Sequence, residues 1–234
     1  MQAIIDFFQK FVDIFITRGM YQMVLDGLKN TAIITLGALA IGVVIGTLIA
    51  VIKYFAEDSK ALRPLALLCD IYTTVVRGIP MVVLLMIFYF IILVQAKGIV
   101  VGIVAFGINS GAYMAELIRS GINAVNVGQM EAGRSLGLSK MQTMRKIILP
   151  QAVRYILPAI GNELIALVKE TSVAGYVAVV DVTRALFLIR NNTFQSVVTL
   201  TLLAAIYLVI VIILTRLLKL LERRLSTNDK RRKS

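Results

Sequence analysis

Hydrophobic residues fall in long blocks along the chain, and polar residues collect in the gaps between them. Five blocks reach the length of a bilayer crossing, approximately 30–52, 71–94, 98–118, 152–180 and 196–215. A crossing helix needs about 20 mostly apolar residues, because each residue rises about 1.5 Å across a hydrocarbon core of about 30 Å. Gln95, Ala96 and Lys97 leave room only for a tight turn, so the second and third spans should form a hairpin. Ahead of the first span, Asp6, Gln9, Lys10, Asp13 and Thr17 lie on one helical stripe, with Ile4, Phe7, Phe8, Phe11, Ile14 and Phe15 opposite. That pattern predicts an interfacial helix, with a sixth span as the alternative. The expected fold is an all-α integral membrane protein of one domain. Residues 1–27 hold the interfacial helix, 28–215 the transmembrane core, and 216–234 a basic, disordered tail.

Composition agrees. Hydrophobic residues make up 59% of the 234, and the mean hydropathy is +0.86, against about 45–50% apolar in soluble domains. The net charge of +12 could suggest nucleic acid. The bases, however, cluster in the gaps: the loops around 53–63 and 119–154 and the tail from Arg216 hold 17 of the 25. Basic loops mark the cytoplasmic side, so the N-terminus is expected outside and the C-terminus in the cytoplasm, with no nucleic-acid partner. Cys69 is the single cysteine and histidine is absent, which excludes an internal disulfide and a histidine metal site. No nucleophile and base pair stands out for an enzyme. The N-terminus lacks a basic n-region and small-residue cleavage site, so no removable signal peptide is expected.

The longest polar gap, 119–150, carries the most specific pattern. Asn126-Val-Gly-Gln129 and Ser139-Lys-Met-Gln142 both have capping-box spacing, and Gly137 between them suits a helix C-terminus. Two short helices should therefore meet at Gly137, the second stopping or bending at Pro150. Glu131, Ala132, Gly137, Ile147, Leu149 and Pro150 form the spacing E-A-(four)-G-(nine)-I-x-L-P, with Arg134 and Leu138 inside it. Read without that spacing, the segment is a solvated basic loop.

With it, the segment resembles the loop by which membrane subunits of ATP-binding-cassette importers engage their ATPase. Arg77-Gly-Ile-Pro80, Asn109-Ser-Gly-Ala-Tyr113, Ala115-Glu116, Arg119-Ser-Gly-Ile122, Gly128-Gln129, Gly161-Asn162-Glu163 and Lys169-Glu170-Thr171-Ser172 are similar to polar amino-acid importers of the histidine, arginine and glutamine type. The resemblance implies a type I importer permease in a bacterial cytoplasmic membrane, multi-pass, carrying a polar amino acid inward by alternating access. It also implies a second permease copy or homologue, an ATPase dimer and an extracytoplasmic amino-acid-binding protein. Glu131, Ala132, Arg134, Gly137, Leu138, Ile147 and Pro150 would then belong to a coupling helix. This chain has no Gly-x-x-x-x-Gly-Lys-Ser/Thr phosphate loop. It should hold no cofactor, and ATP with Mg would belong to the partner ATPase. An ion-gradient-driven transporter or channel is the alternative from another class.

Ionisable side chains inside spans are costly and tend to face a partner, cavity or pathway. Arg77, Glu116, Glu163, Lys169 and Glu170 are the candidates, with Asn162 beside Glu163. Glu163, about 16 Å along its span by helical rise, is expected near the midplane. It either contacts the amino acid or pairs structurally, for instance with Arg77. Lys169 and Glu170 suit a gate or a local pair. Pro80 predicts a kink or unwound turn beside Arg77, either part of a site or simply a bend. Gly42/Gly46, Gly98/Gly102 and Gly107/Gly111 have the spacing of close helix contacts.

Overall fold

A computed structural model describes residues 1–177 and 179–233, without side-chain detail for Ala3 and 226–233. Every regular element among the described residues is helical. In order these are α1 (Gln2–Phe11) with a π turn to Thr17, α2 (Tyr21–Ala56), α3 (Arg63–Gly78), α4 (Met81–Ile87) with a π turn to Ile92, α5 (Gly98–Asn123), α6 (Gly128–Ser135), α7 (Lys140–Thr143) with a π turn to Ile148, α8 (Leu149–Glu170) with a 3-10 turn to Val177, α9 (Val182–Thr193) and α10 (Ser196–Lys233). Three helices, α2, α5 and α10, are each long and apolar enough to cross a bilayer. The number rises to five if two bent pairs each count as one span.

Those pairs are where the hydrophobic blocks simplify the backbone. The block at 71–94 divides into α3 and α4, because Ile79 (ψ 129°) and Pro80 (ψ 136°) are extended. Proline lacks the N–H that a continuous helix would use and disfavours helix in the residue before it. In the block at 152–180 the α-helix ends earlier than expected, at Glu170, and a further helix, α9, lies between it and the last block. The tail from Arg216 is helical rather than disordered: α10 continues through it, and Leu218 packs against Gly161. Its Leu, Arg and Lys residues have high helix propensity. Its last side chains lie outside the described residues.

The chain divides into two compact units. One comprises Met1–Leu39, Pro80–Gly107 and Ala166–Ile213. Its core joins Ile14, Phe15, Val24, Val182, Leu186, Ile189 and Val198, with Phe7 and Phe11 packed against them. The N-terminal helix thus turns part of its apolar stripe inward and leaves Ile4, Phe8 and Ile16 exposed. Asp181, fully buried, caps α9 by accepting hydrogen bonds from the backbone N–H groups of Thr183 (3.1 Å) and Arg184 (2.9 Å). A buried carboxylate survives only with such partners. Helix α2 holds this corner: the Asn30 side chain donates to Val180 O (2.9 Å), and Thr31 Oγ accepts from Val182 N (3.2 Å).

The other unit comprises Ala40–Ile79, Ile108–Ile165 and Leu214–Ser234. Here α2 and α5 touch through glycine. A Cβ at Gly46 would stand 2.8 Å from the Ala115 backbone N, and one at Gly42 would stand 2.7 Å from Ser110 Oγ. Helix α3 joins them through the Tyr72 hydroxyl, which donates to Ile108 O, and an ion pair between Lys53 and Asp70. Gly111 packs against Ile45, so at these positions the glycine spacing serves contacts within one chain.

Backbone cannot yield as a flexible side chain can. Gly46→Ala should therefore destabilise the folded chain by about 1–3 kcal/mol, whereas Gly78→Ala, with nothing within 4 Å of the new Cβ, should change little. Thermal unfolding of the two variants in the same detergent measures the difference.

Candidate functional site

The segment between α5 and α8 is built from local signals. Helix α6 ends in a Schellman motif: Leu138 N–H donates to Gly133 O (3.1 Å) and Gly137 N–H to Arg134 O (3.0 Å). The motif requires a left-handed residue, and Gly137 has φ +80°. Ser139 then starts α7 with a full capping box, its Oγ accepting from Gln142 N (3.2 Å) while its own N–H donates to Gln142 Oε1 (2.8 Å). The first expected capping box does not form. Asn126 Oδ1 accepts from Gly128 N (2.8 Å), two residues on, and Val127 becomes the N-cap. An Asx turn has taken the side chain that the box needed.

Pro150 does not stop the second short helix. The chain passes from α7 through a π turn (Met144–Ile148) into α8, where Pro150 is the second residue. The widened turn changes the hydrogen-bond register just before the residue without an N–H. Ile147 is half-buried in that turn, beside fully packed Ile148.

Gly133 and Thr143 join the two short helices, and sequence reasoning passed over both. Gly133 is buried, and a Cβ there would meet Thr143 Oγ at 2.8 Å. Of the small residues between Glu131 and Gly137, only Gly133 faces inward, which its packing and not its spacing reveals. With that side covered, Val127, Glu131, Ala132, Arg134 and Leu136 are exposed, and Leu138 is half-buried. The result is a short helical knob carrying one acid, one base and apolar side chains. Arg134 also donates to Leu138 O (3.0 Å), bracing the glycine turn.

Lys140 fastens this knob to the α2–α3 loop. Its Nζ lies 2.7 Å from Asp58 and 3.4 Å from Glu57, and 5.1 Å from the centre of the Tyr54 ring. The Asp58 hydrogen bond in particular raises the Lys140 pKa above its ordinary value. The carboxylates are two-thirds exposed, so the pairs contribute position more than stability.

The polar residues expected in the spans do not form one cluster. Glu163, half-buried on α8, accepts a hydrogen bond from Ser110 Oγ on α5 (2.9 Å). The suggested Glu163–Arg77 pair is absent among the described residues: the Arg77 guanidinium instead stacks over the Tyr113 ring at 5.1 Å. Asn162 is exposed and its amide donates to Pro158 O on its own helix (3.1 Å). Glu116 pairs with Arg119 three residues on (3.0 Å). Lys169 is exposed, and with Glu170 it belongs to the other compact unit. Ser110 and Tyr113 are the partners that the sequence did not identify, since nothing in a linear reading aims a serine on one helix at an acid on another.

Helices long and apolar enough to cross a membrane, two bent helix pairs and a polar helical knob are the features of an integral membrane protein. The sequence matches the family described as "binding-protein-dependent transport system inner membrane component" over residues 42–227, and the chain belongs to that family. It is 37% identical to the arginine transport system permease protein ArtQ of Bacillus subtilis (strain 168), over 88% of this chain and 94% of that protein. It is 35% identical to the putative glutamine transport system permease protein GlnP of Rickettsia felis, with the same coverage. These relatives are permease proteins and not ATPases. Among solved structures, a crystal structure of an amino acid ABC transporter with histidines aligns with a TM-score of 0.82 at 38% identity, covering 90% of this chain and 98% of that one. The MetNI methionine ABC transporter, at 22% identity and a TM-score of 0.74 over 88% and 98% of the chains, shares the fold.

The local motifs can be tested separately from transport. Ser139→Ala removes the cap of α7 and should cost about 1 kcal/mol, while Ser135→Ala, four residues earlier on the exposed face of α6, should cost much less. Hydrogen exchange at the Gln142 amide reports the local loss.

Proposed function

We propose that this chain is the membrane-spanning permease of an ATP-driven importer, that it carries a polar amino acid into the cytoplasm by alternating access, and that the knob at 127–150 is its coupling helix. The observation that carries the reading is the construction of the knob. A Schellman turn at Gly137, a capping box at Ser139 and the Gly133–Thr143 contact fix two short helices against each other. Glu131, Ala132 and Arg134 are left facing outward. A stiff, outward-facing knob passes on a push, where a solvated loop would absorb it. Lys140 extends its reach to α2 through Asp58 and Glu57, and the π turn extends it directly into α8.

In this reading an ATPase dimer holds the knob in a groove, and ATP and Mg are bound there. Closure of the dimer displaces α6, the attached spans tilt, and the pathway opens outward to an amino acid delivered by a binding protein. Hydrolysis resets the pair of permeases. Ile147 and Pro150 lie at the point where the displacement enters the membrane. The basic loops support a cytoplasmic position for this side and an outside position for the N-terminus, in a bacterial cytoplasmic membrane. The names of the similar proteins, arginine and glutamine permeases, support a polar amino acid as cargo.

For the cargo, Glu163 contacts the ammonium group or a cationic side chain. Its exposed neighbour Asn162 and the Ser110 hydroxyl border the same position. Arg77, held by Tyr113, lines the pathway near the break at Pro80. Glu116 contributes to its polar lining, while Lys169 and Glu170 suit a gate or a local pair.

Two measurements test these assignments. Glu131→Arg and Gly137→Val should each abolish co-isolation with the ATPase while leaving the permease in the membrane; gradient-driven uptake by this chain alone in liposomes would overturn the ATPase reading. Glu163→Gln keeps an acceptor for Ser110 and should preserve assembly. Loss of one charged contact should raise the KM for a cationic amino acid about tenfold or more. Unchanged uptake and preference would remove Glu163 from the pathway.

A further inference from the structure

An apolar trough of about 380 Å³ opens between the C-terminal parts of α2 and α5 and the turn leading into α8. Ala50, Val51, Phe55, Ile118 and Met144 form its walls, and Arg145 is the charged residue of its lining. Val51 and Phe55 are exposed, so the apolar surface continues outward along α2. Arg145 is exposed and makes no ion pair or hydrogen bond among the described residues. Nearby, Lys140 pairs with both Glu57 and Asp58, and Lys53 pairs with Asp70. A guanidinium without an ion pair among the described residues thus sits at an apolar trough on helices long and apolar enough to cross a bilayer.

We infer that this trough holds one anionic phospholipid, an acyl chain along Ala50, Val51 and Ile118 and the phosphate at the Arg145 guanidinium. The argument is charge complementarity joined to access. A trough with apolar walls is poorly filled by water, and bilayer lipid is the apolar material available along α2 and α5. A planar guanidinium matches a phosphate with paired N–H donors. Anionic lipids are drawn to basic residues at the cytoplasmic surface. The site is mechanically placed as well. Met144 and Arg145 belong to the π turn between the knob and α8, and Tyr54, another lining residue, lies under the Lys140 ammonium. A lipid seated here touches both connections between the knob and the spans, so its occupancy biases how far the knob can move. The inference rests on the cytoplasmic placement of residues 119–150 given above.

The test uses the assembled transporter, with its ATPase, equilibrated in an equal mixture of phosphatidylglycerol and phosphatidylcholine and examined by native mass spectrometry. The expected result is one phosphatidylglycerol retained per permease in preference to phosphatidylcholine. Arg145→Gln should weaken that preference about fivefold, while Lys146→Gln, at the neighbouring exposed cation outside the trough lining, should leave it intact. Val51→Trp, which fills the trough from an exposed position, should expel the lipid with Arg145 unchanged. Equal retention of both lipids, or equal losses in the Arg145 and Lys146 variants, would overturn the site in favour of diffuse surface charge. Retention that appears only after the ATPase is stripped away would also overturn it, because a partner subunit would then be the occupant. Failure of the importer reading shows separately, as a complex in which no ATPase mass is found.

Discussion

The site depends on how closely α2 and α5 approach each other. Gly42 and Gly46 remove the side chains that would keep the backbones apart, and the space at Gly42 is taken by Ser110. Ser110 in turn donates to Glu163. A packing contact therefore becomes a polar one within a single step. In lipid, hydrophobicity gives helices little reason to associate, so close backbone approach and interhelical hydrogen bonds must do so. The same helix pair carries Tyr54, Glu57 and Asp58 at the end of α2 and its following loop, and Tyr113, Glu116 and Arg119 on α5. Loosening it would displace the intraspan acid and the anchor of the knob together.

The knob obeys a different economy. It has little apolar surface to bury, so its shape comes from local hydrogen bonds: a left-handed glycine, a reciprocal cap and one glycine-to-threonine contact. These interactions are individually small. Together they define a shape because each restricts a different turn of the backbone. The ion pairs of Lys140 add direction, tying the knob to the loop after α2. Stiffness made locally can be carried as a unit.

Local signals were legible in the sequence to the extent that the chemistry was local. Gly137 needed only its own φ, and Ser139 with Gln142 needed only four residues. The hydrophobic blocks located the apolar helices because bilayer thickness dictates their length. Pro80 marked the break between α3 and α4 as a kink or unwound turn, because a missing N–H acts locally, whereas hydrophobic blocks could not reveal α9, whose signal was an amphipathic 182, 185, 186, 189 pattern behind Asp181. Asn126 misled because an asparagine can close an Asx turn as readily as a capping box, and the choice follows the direction of the incoming chain.

By itself, then, the sequence determined that the protein is helical and membrane-spanning, that its longest polar segment folds into two short helices around Gly137, and which family it joins. Those properties follow from hydropathy, periodicity and fixed spacing, all of which act over a few turns of chain. Tertiary structure alone decided the partners: Ser110 for Glu163, Tyr113 for Arg77, Asp58 and Glu57 for Lys140, and a trough beside Arg145. Each joins residues distant in sequence or an empty volume between helices. No local preference encodes those meetings, because they depend on where packed helices place their faces.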